Sequence, residues 1–306
     1  MERFESFPLD PGQSIGGCNE VFRHPLFTEG SKAERLQIML ASARAVYEDE
    51  CQYPWDHYFG RDLRPFLAGK RVLDLGCFTG GRAVAWFQRY GIAHISGTDT
   101  NEVFMDAARA FARSQHTAAR FSAGRGEDLP YSDESFDAIL SFDVFEHVQN
   151  PVQVLAECRR VLKPSGYAFI VFPGFYQPVE HHLSMVTNVP FIHYFFTPSA
   201  LIRAYCAILE NRGEAAAWYS REPYELESWE RGHTINGLTL RRFRRLVRQA
   251  GLTIDEQVRR PLGTVGRRSE RSRSVRLTGR FLRPLGSLPV LEEAVLHRGV
   301  FILSKS

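Results

Sequence analysis

The chain has 306 residues, 44% of them hydrophobic, with 38 Lys and Arg against 35 Asp and Glu and a net charge of +3. That length and apolar content suit one large α/β domain with appendages, and so small a charge excess implies no polyanionic partner by itself. No apolar run is long enough for a membrane span, and the start Met1-Glu2-Arg3-Phe4 has neither the basic nor the apolar part of a secretion signal.

Residues 1–70 read as an N-terminal helical extension, with Leu36, Met39, Leu40 and Val46 at helical spacing. The apolar run Val72, Leu73, Leu75 then enters a turn built on Gly76, Gly80 and Gly81, and a helix follows over 80–90. The glycines allow backbone angles that a Cβ opposes and close approach of a ligand to the main chain. The amides that open the helix point at a polar ligand group. Further strands are expected at 94–98, 119–122, 136–142 and 167–172, with helices at 101–115 and 151–163 between them. Asn150 caps the last helix, Pro151 opens it, and Lys163-Pro164-Ser165-Gly166 stops it. Such alternation is the pattern of a parallel sheet.

Two late strands, 252–258 and 300–303, follow a helix that Thr239 caps, with Leu240, Phe243, Val247 and Ala250 on one face and Gly251 at its end. The expected fold is therefore α/β: a Rossmann-like, mostly parallel seven-strand sheet with helices on both faces. Residues 71–172 form its core, 173–235 a lid insertion after the fifth strand, and 236–306 the final helix and strands. Within the last part, 259–283 contain nine arginines and one glutamate and read as an insertion. They either attract an anion or are simply solvated, and the near absence of aromatics there argues against nucleic acid. Arg241, Arg242, Arg244, Arg245 and Arg248 read as the solvated face of their helix. The five cysteines are scattered, with no CxxC pair, and read as reduced thiols of a cytoplasmic protein.

Three further signals accompany the glycine turn. Asp99 ends the second strand 23 residues after Gly76, where an acid can accept both hydroxyls of a ribose. Glu127-Asp128-Leu129-Pro130 follows the third strand, and Glu146-His147-Val148 follows the fourth. Together with Val72-Leu73-Asp74-Leu75-Gly76-Cys77, Ser135-Phe136-Asp137 and Arg160-Val161-Leu162-Lys163-Pro164, these stretches resemble the class I S-adenosylmethionine-dependent methyltransferases of the type 11 branch. The resemblance covers about residues 70–172. It implies S-adenosyl-L-methionine as cofactor. Asp74 with the backbone around Gly76, Cys77 and Gly80 would hold its methionyl end, and Asp99 its ribose. Thr100 and Asn101 would flank the adenine, Asp128 would accept from its amino group, and Leu129 would supply an amide. Ser141 and Phe142 would border the sulfonium. Phe78 stands where the family often has its second glycine, which argues against a dinucleotide.

A methyl acceptor with a hydroxyl needs a base, because an alcohol is a poor nucleophile while protonated. His181 and His182, on the loop leaving the fifth strand, and His147 are the candidates. The Asn-Pro-Pro-Tyr motif associated with nucleic-acid bases and glutamine is absent after the fourth strand. No spacing among Asp143, Glu146, His147, His181 and His182 specifies a metal site, so none is expected. The favoured reading is O-methylation of a sugar, an anionic sugar conjugate or another small polar hydroxyl compound. The alternatives are C- or N-methylation of a natural-product scaffold, and a cofactor-binding module without catalysis.

Overall fold

The computed structural model describes residues 30–178, 187, 189–211, 236–262 and 291–305. The N-terminal part begins with helix α1 (Lys32–Gln52) and the single turns α2 (Asp56–Phe59) and α3 (Arg64–Leu67). Ser31 caps α1 with a reciprocal bond to Glu34, the capping box that fixes a helix start. Next come β1 (Arg71–Leu75), α4 (Gly81–Tyr90), β2 (His94–Asp99), α5 (Glu102–Ser114), β3 (Arg120–Ala123), β4 (Phe136–Phe142), α6 (Pro151–Val161) and β5 (Leu162–Phe172). The turn α7 (Ile192–Phe195) and helix α8 (Pro198–Asn211) lie in the segment after β5. The chain closes with α9 (Leu240–Gln249), β6 (Thr253–Pro261), α10 (Glu292–Val295) and β7 (Leu296–Ser304).

The seven strands form one sheet in the order β3-β2-β1-β4-β5-β7-β6. β1 pairs in parallel with β2 and β4, β2 with β3, and β4 with β5; β7 runs antiparallel between β5 and β6. The order reverses between β1 and β4, and in an open α/β sheet the crevice beyond the carboxyl ends at that point is where ligands bind.

Both faces of the sheet are apolar, as a covered parallel sheet requires. Val72, Ala138, Leu140, Phe169, Val171, Val300 and Ile302 pack under α1, α4 and α5. Their neighbours Leu73, Leu75, Ile139, Ile170, Phe172 and Phe301 pack under α6 and α9. Each fully buried side chain of this size contributes about 1.5–3 kcal/mol. Asn150 and Thr239 cap α6 and α9 through their side chains as expected.

Four local readings need correction. α6 stops at Val161 and β5 starts at Leu162, because the backbone leaves the helix before Pro164 and pairs Leu162 with Phe136. β6 continues to Pro261, so Arg259 and Arg260, assigned to the Arg-rich insertion, are strand residues opposite Gly299 and Arg298. β7 begins at Leu296 rather than at 300. Arg244 is half-buried rather than solvated: in the middle of α9 it pairs with the buried carboxylate of Glu292 at 2.8 Å. His181, His182, Trp218 and the rest of the Arg-rich stretch lie outside the described residues.

Candidate active site

The site is built at the carboxyl ends of β1, β2 and β4. Gly76 follows β1 with φ +77°, and its amide donates to Thr98 O (2.8 Å) at the end of β2. A Cβ on Gly76 would stand 2.1 Å from Val144 Cγ2, and one on Gly80 would stand 2.7 Å from Ala108 Cβ. The turn is thus closed to any side chain at both positions. Phe78 also takes a left-handed backbone, φ +48°, which strains a residue with a Cβ by about 1–2 kcal/mol. Its ring packs edge-on against Phe104 at 4.7 Å, and its amide donates to Asp99 Oδ2 at 3.0 Å. The non-glycine in the glycine turn is therefore held on both sides by its own packing.

Asp74 is the central acid. It is buried near the carboxyl end of β1, opposite Leu140 of β4, and Ser141 stands one position on, opposite Leu75. Its Oδ2, the hydroxyl of Thr79 and the hydroxyl of Ser141 are all buried and make no hydrogen bond among the described residues. Burial pushes the Asp74 carboxyl up to about 7; Arg82 opposes the rise, while Asp99 and Glu50 add to it. Burial likewise raises Asp99, although the amides of Phe78, Thr100 and Asn101 pull it down. Buried polar groups ordinarily have partners, so three orphans around one glycine turn mark groups arranged for a ligand.

The other expected residues fall as follows. Cys77 is buried against the turn, where desolvation holds its thiol well above the ordinary range. Thr100 lies exposed at the mouth, and the Asn101 side chain caps α5 through Val103 N (3.0 Å). Asp128 is exposed beyond β3. The Leu129 amide, expected to face an adenine, donates to Glu157 Oε2 at 2.8 Å and is committed inside the protein. Glu127 clamps the start of α6 by accepting from Gln149 N (2.9 Å) and Asn150 N (3.1 Å). His147 follows β4 with its Nε2 3.8 Å from Glu146 Oε1.

Several side chains at this edge were not anticipated. Phe142 is flanked by Tyr58 (5.3 Å) and Trp55 (6.2 Å), and Arg82 lies over its ring at 4.1 Å. Arg298, at the start of β7, reaches Asp143 Oδ2 at 2.9 Å and lies 5.5 Å from the same ring. Asp143 has φ +55°, a strained backbone of the kind found at functional sites. His297 stacks on Tyr58 at 6.2 Å. Glu50 of α1 is buried behind Arg82, where its Oε1 accepts from Trp55 N (2.7 Å) and Trp86 Nε1 (2.9 Å). A signal for Glu50 existed: it lies one heptad beyond Ala43, on the buried face of α1. Arg82 could be read only as a charge at the head of the apolar run Ala83-Val84-Ala85-Trp86.

Among the described residues no three His, Cys, Asp or Glu side chains gather as around a metal ion, and no helix is long and apolar enough to cross a membrane. The residues present do fit S-adenosylmethionine. The orphaned Asp74 carboxyl suits an ammonium group, and the half-buried Asp99 suits a ribose diol.

Fold and site together define a cofactor-dependent enzyme domain of the seven-stranded α/β class. Comparison with known proteins agrees: residues 73–170 match the methyltransferase domain family of type 11. The chain is 38% identical over 112 residues to a ubiquinone biosynthesis O-methyltransferase of Maricaulis maris, covering 36% of this chain and 43% of that one. It is 36% identical over 115 residues to the protein of the same name from Mesorhizobium japonicum, covering 37% and 45%. The chain thus spans less than half the length of these curated relatives. Phosphoethanolamine N-methyltransferase 2 of Haemonchus contortus, solved with S-adenosyl-L-methionine, shares the fold at 15% identity with a TM-score of 0.51, covering 93% of this chain and 60% of that one. Residues 73–170 are a class I S-adenosylmethionine-dependent methyltransferase domain.

Proposed function

We propose that this protein transfers a methyl group from S-adenosylmethionine to a hydroxyl oxygen of a small molecule. The observation that carries the reading is the set of orphaned groups, Asp74 Oδ2, Thr79 Oγ1 and Ser141 Oγ, around a turn that admits no side chain. The cofactor, when bound, supplies a methyl group already activated on sulfur, so the protein has only to align an acceptor and handle its proton. Asp99 holds the ribose, Asp74 the ammonium, and Ser141 and Phe142 face the reacting end. Oxygen as the acceptor atom is supported by the names of the relatives that match the cofactor-binding half.

Within that reading, residues 173–235 and the N-terminal extension form the acceptor wall, and a sugar or other small polar hydroxyl compound is the acceptor class. A histidine takes the proton: His181 or His182 from the loop after β5, or His147 beside Glu146. The test is transfer of isotope-labelled methyl to a panel of sugars, sugar nucleotides and catechols, with the products identified by mass. His181→Ala, His182→Ala and His147→Ala are assayed in parallel. Loss of kcat by about 100-fold or more in one variant, with cofactor affinity intact, identifies the base. Full turnover in all three removes these histidines from the mechanism.

A further inference from the structure

Resting on the cofactor reading above, we propose that Arg82 anchors the carboxylate at the methionyl end of S-adenosylmethionine, and that Glu50 holds Arg82 in place while the site is empty.

Arg82 lies in the first turn of α4, immediately after the glycine turn. The positive end of the helix dipole adds to its charge there. Its guanidinium rests on the Phe142 ring at 4.1 Å, at the end of the strand whose Ser141 hydroxyl is orphaned. Arg82 is electrostatically coupled to Asp74 and opposes the rise in its pKa. An ammonium acceptor near the end of β1 thus accompanies a guanidinium donor that rests against the end of the adjacent β4, which is the charge pattern that complements a zwitterion.

The hydrogen bonds of Arg82 are the second observation. Its Nε is buried and makes none among the described residues. Its charge is met by Glu50 Oε2 at 3.5 Å, an ion pair without a hydrogen bond. A guanidinium fork forms far stronger bidentate bonds when a carboxylate reaches it squarely. Glu50 is itself fixed, because its Oε1 accepts from Trp55 N and Trp86 Nε1 whichever way Arg82 turns. The other guanidiniums nearby are engaged, Arg298 with Asp143 at 2.9 Å and Arg260 with Tyr58 O at 3.0 Å. Gly81 supports the arrangement, because a Cβ there would stand 2.0 Å from Ala43 O and force α1, with Glu50, away from α4.

A purely structural Arg82 would tie α1 to α4 and would not distinguish one ligand from another. Calorimetric titration of the wild type and Arg82→Gln with S-adenosylmethionine, and with its decarboxylated form, separates the two roles. The decarboxylated compound lacks that carboxylate and nothing else. Wild type is expected to bind the decarboxylated form about 10- to 100-fold more weakly than the intact cofactor. Arg82→Gln should lose that same factor for the intact cofactor and less than about twofold for the decarboxylated one. Equal losses for both ligands, or none for either, overturn the assignment. If Arg82→Gln does not fold, the wild-type ratio decides alone, and equal affinities reject the anchor. Failure of wild type to bind either compound would instead refute the cofactor reading on which the assignment rests.

Discussion

Replacing Asp74 by Asn should make the empty protein more stable at neutral pH and above while weakening its hold on the cofactor. The carboxyl ordinarily titrates near 3.8 and is held at about 7 by burial. Between those values the unfolded chain has released a proton that the folded chain keeps, so stability falls as pH rises through the window. The penalty is absent below about pH 4 and complete above about pH 7. At 1.36 kcal/mol for each pH unit the ceiling is about 4 kcal/mol, and coupling to Arg82, Asp99 and Glu50 shares it among several groups. Asn has the same shape and no charge, so it removes this penalty. Urea unfolding of both proteins from pH 4.5 to 8.5 reads the difference directly. The expected gain is about 1–4 kcal/mol at pH 8, shrinking toward zero near pH 4.5. A loss of stability at pH 8, or a difference that does not change with pH, would refute the reasoning.

Other consequences concern the frame of the site. Gly is normally the worse choice in an ordered backbone, yet at φ +48° Phe78→Gly should be more stable than Phe78→Ala by about 1 kcal/mol, because only glycine takes that angle without strain; equilibrium unfolding of the two variants checks the order. Arg244→Met leaves Glu292 buried with one fewer partner and should lower stability by about 3–5 kcal/mol in the same assay. Arg259, 3.6 Å from Glu292, and Gln257, at 2.6 Å, remain and favour the lower end of that range.

The residues that locate the sheet were legible because each obeys a local rule. Val72, Leu73 and Leu75 lead into glycines that have no room for a Cβ, and Asn150, Thr239 and Pro151 act where the chain itself places them. The antiparallel course of β7 was not legible. It is fixed by pairing with Phe172 and Pro261, residues far away in sequence. The same distance hid Arg298 beside Asp143 and Tyr58 beside Phe142. Leu129 shows the opposite failure: its motif was recognised, but Glu157, 28 residues later, takes the amide. Arg244 looked solvated because its helix carries arginines on every exposed turn, and only the buried Glu292 sets it apart.

The placement of the cofactor is tested most directly by one titration, S-adenosylmethionine into the wild type and into Asp99→Ala. Asp99 ends β2 half-buried, with Phe78 N on one oxygen. Wild type is predicted to bind one equivalent, and the variant to bind about 10- to 100-fold more weakly through loss of two charge-assisted bonds to the ribose. No heat of binding with wild type, or equal affinity in the two proteins, would contradict the placement of the cofactor at the carboxyl ends of β1 and β2.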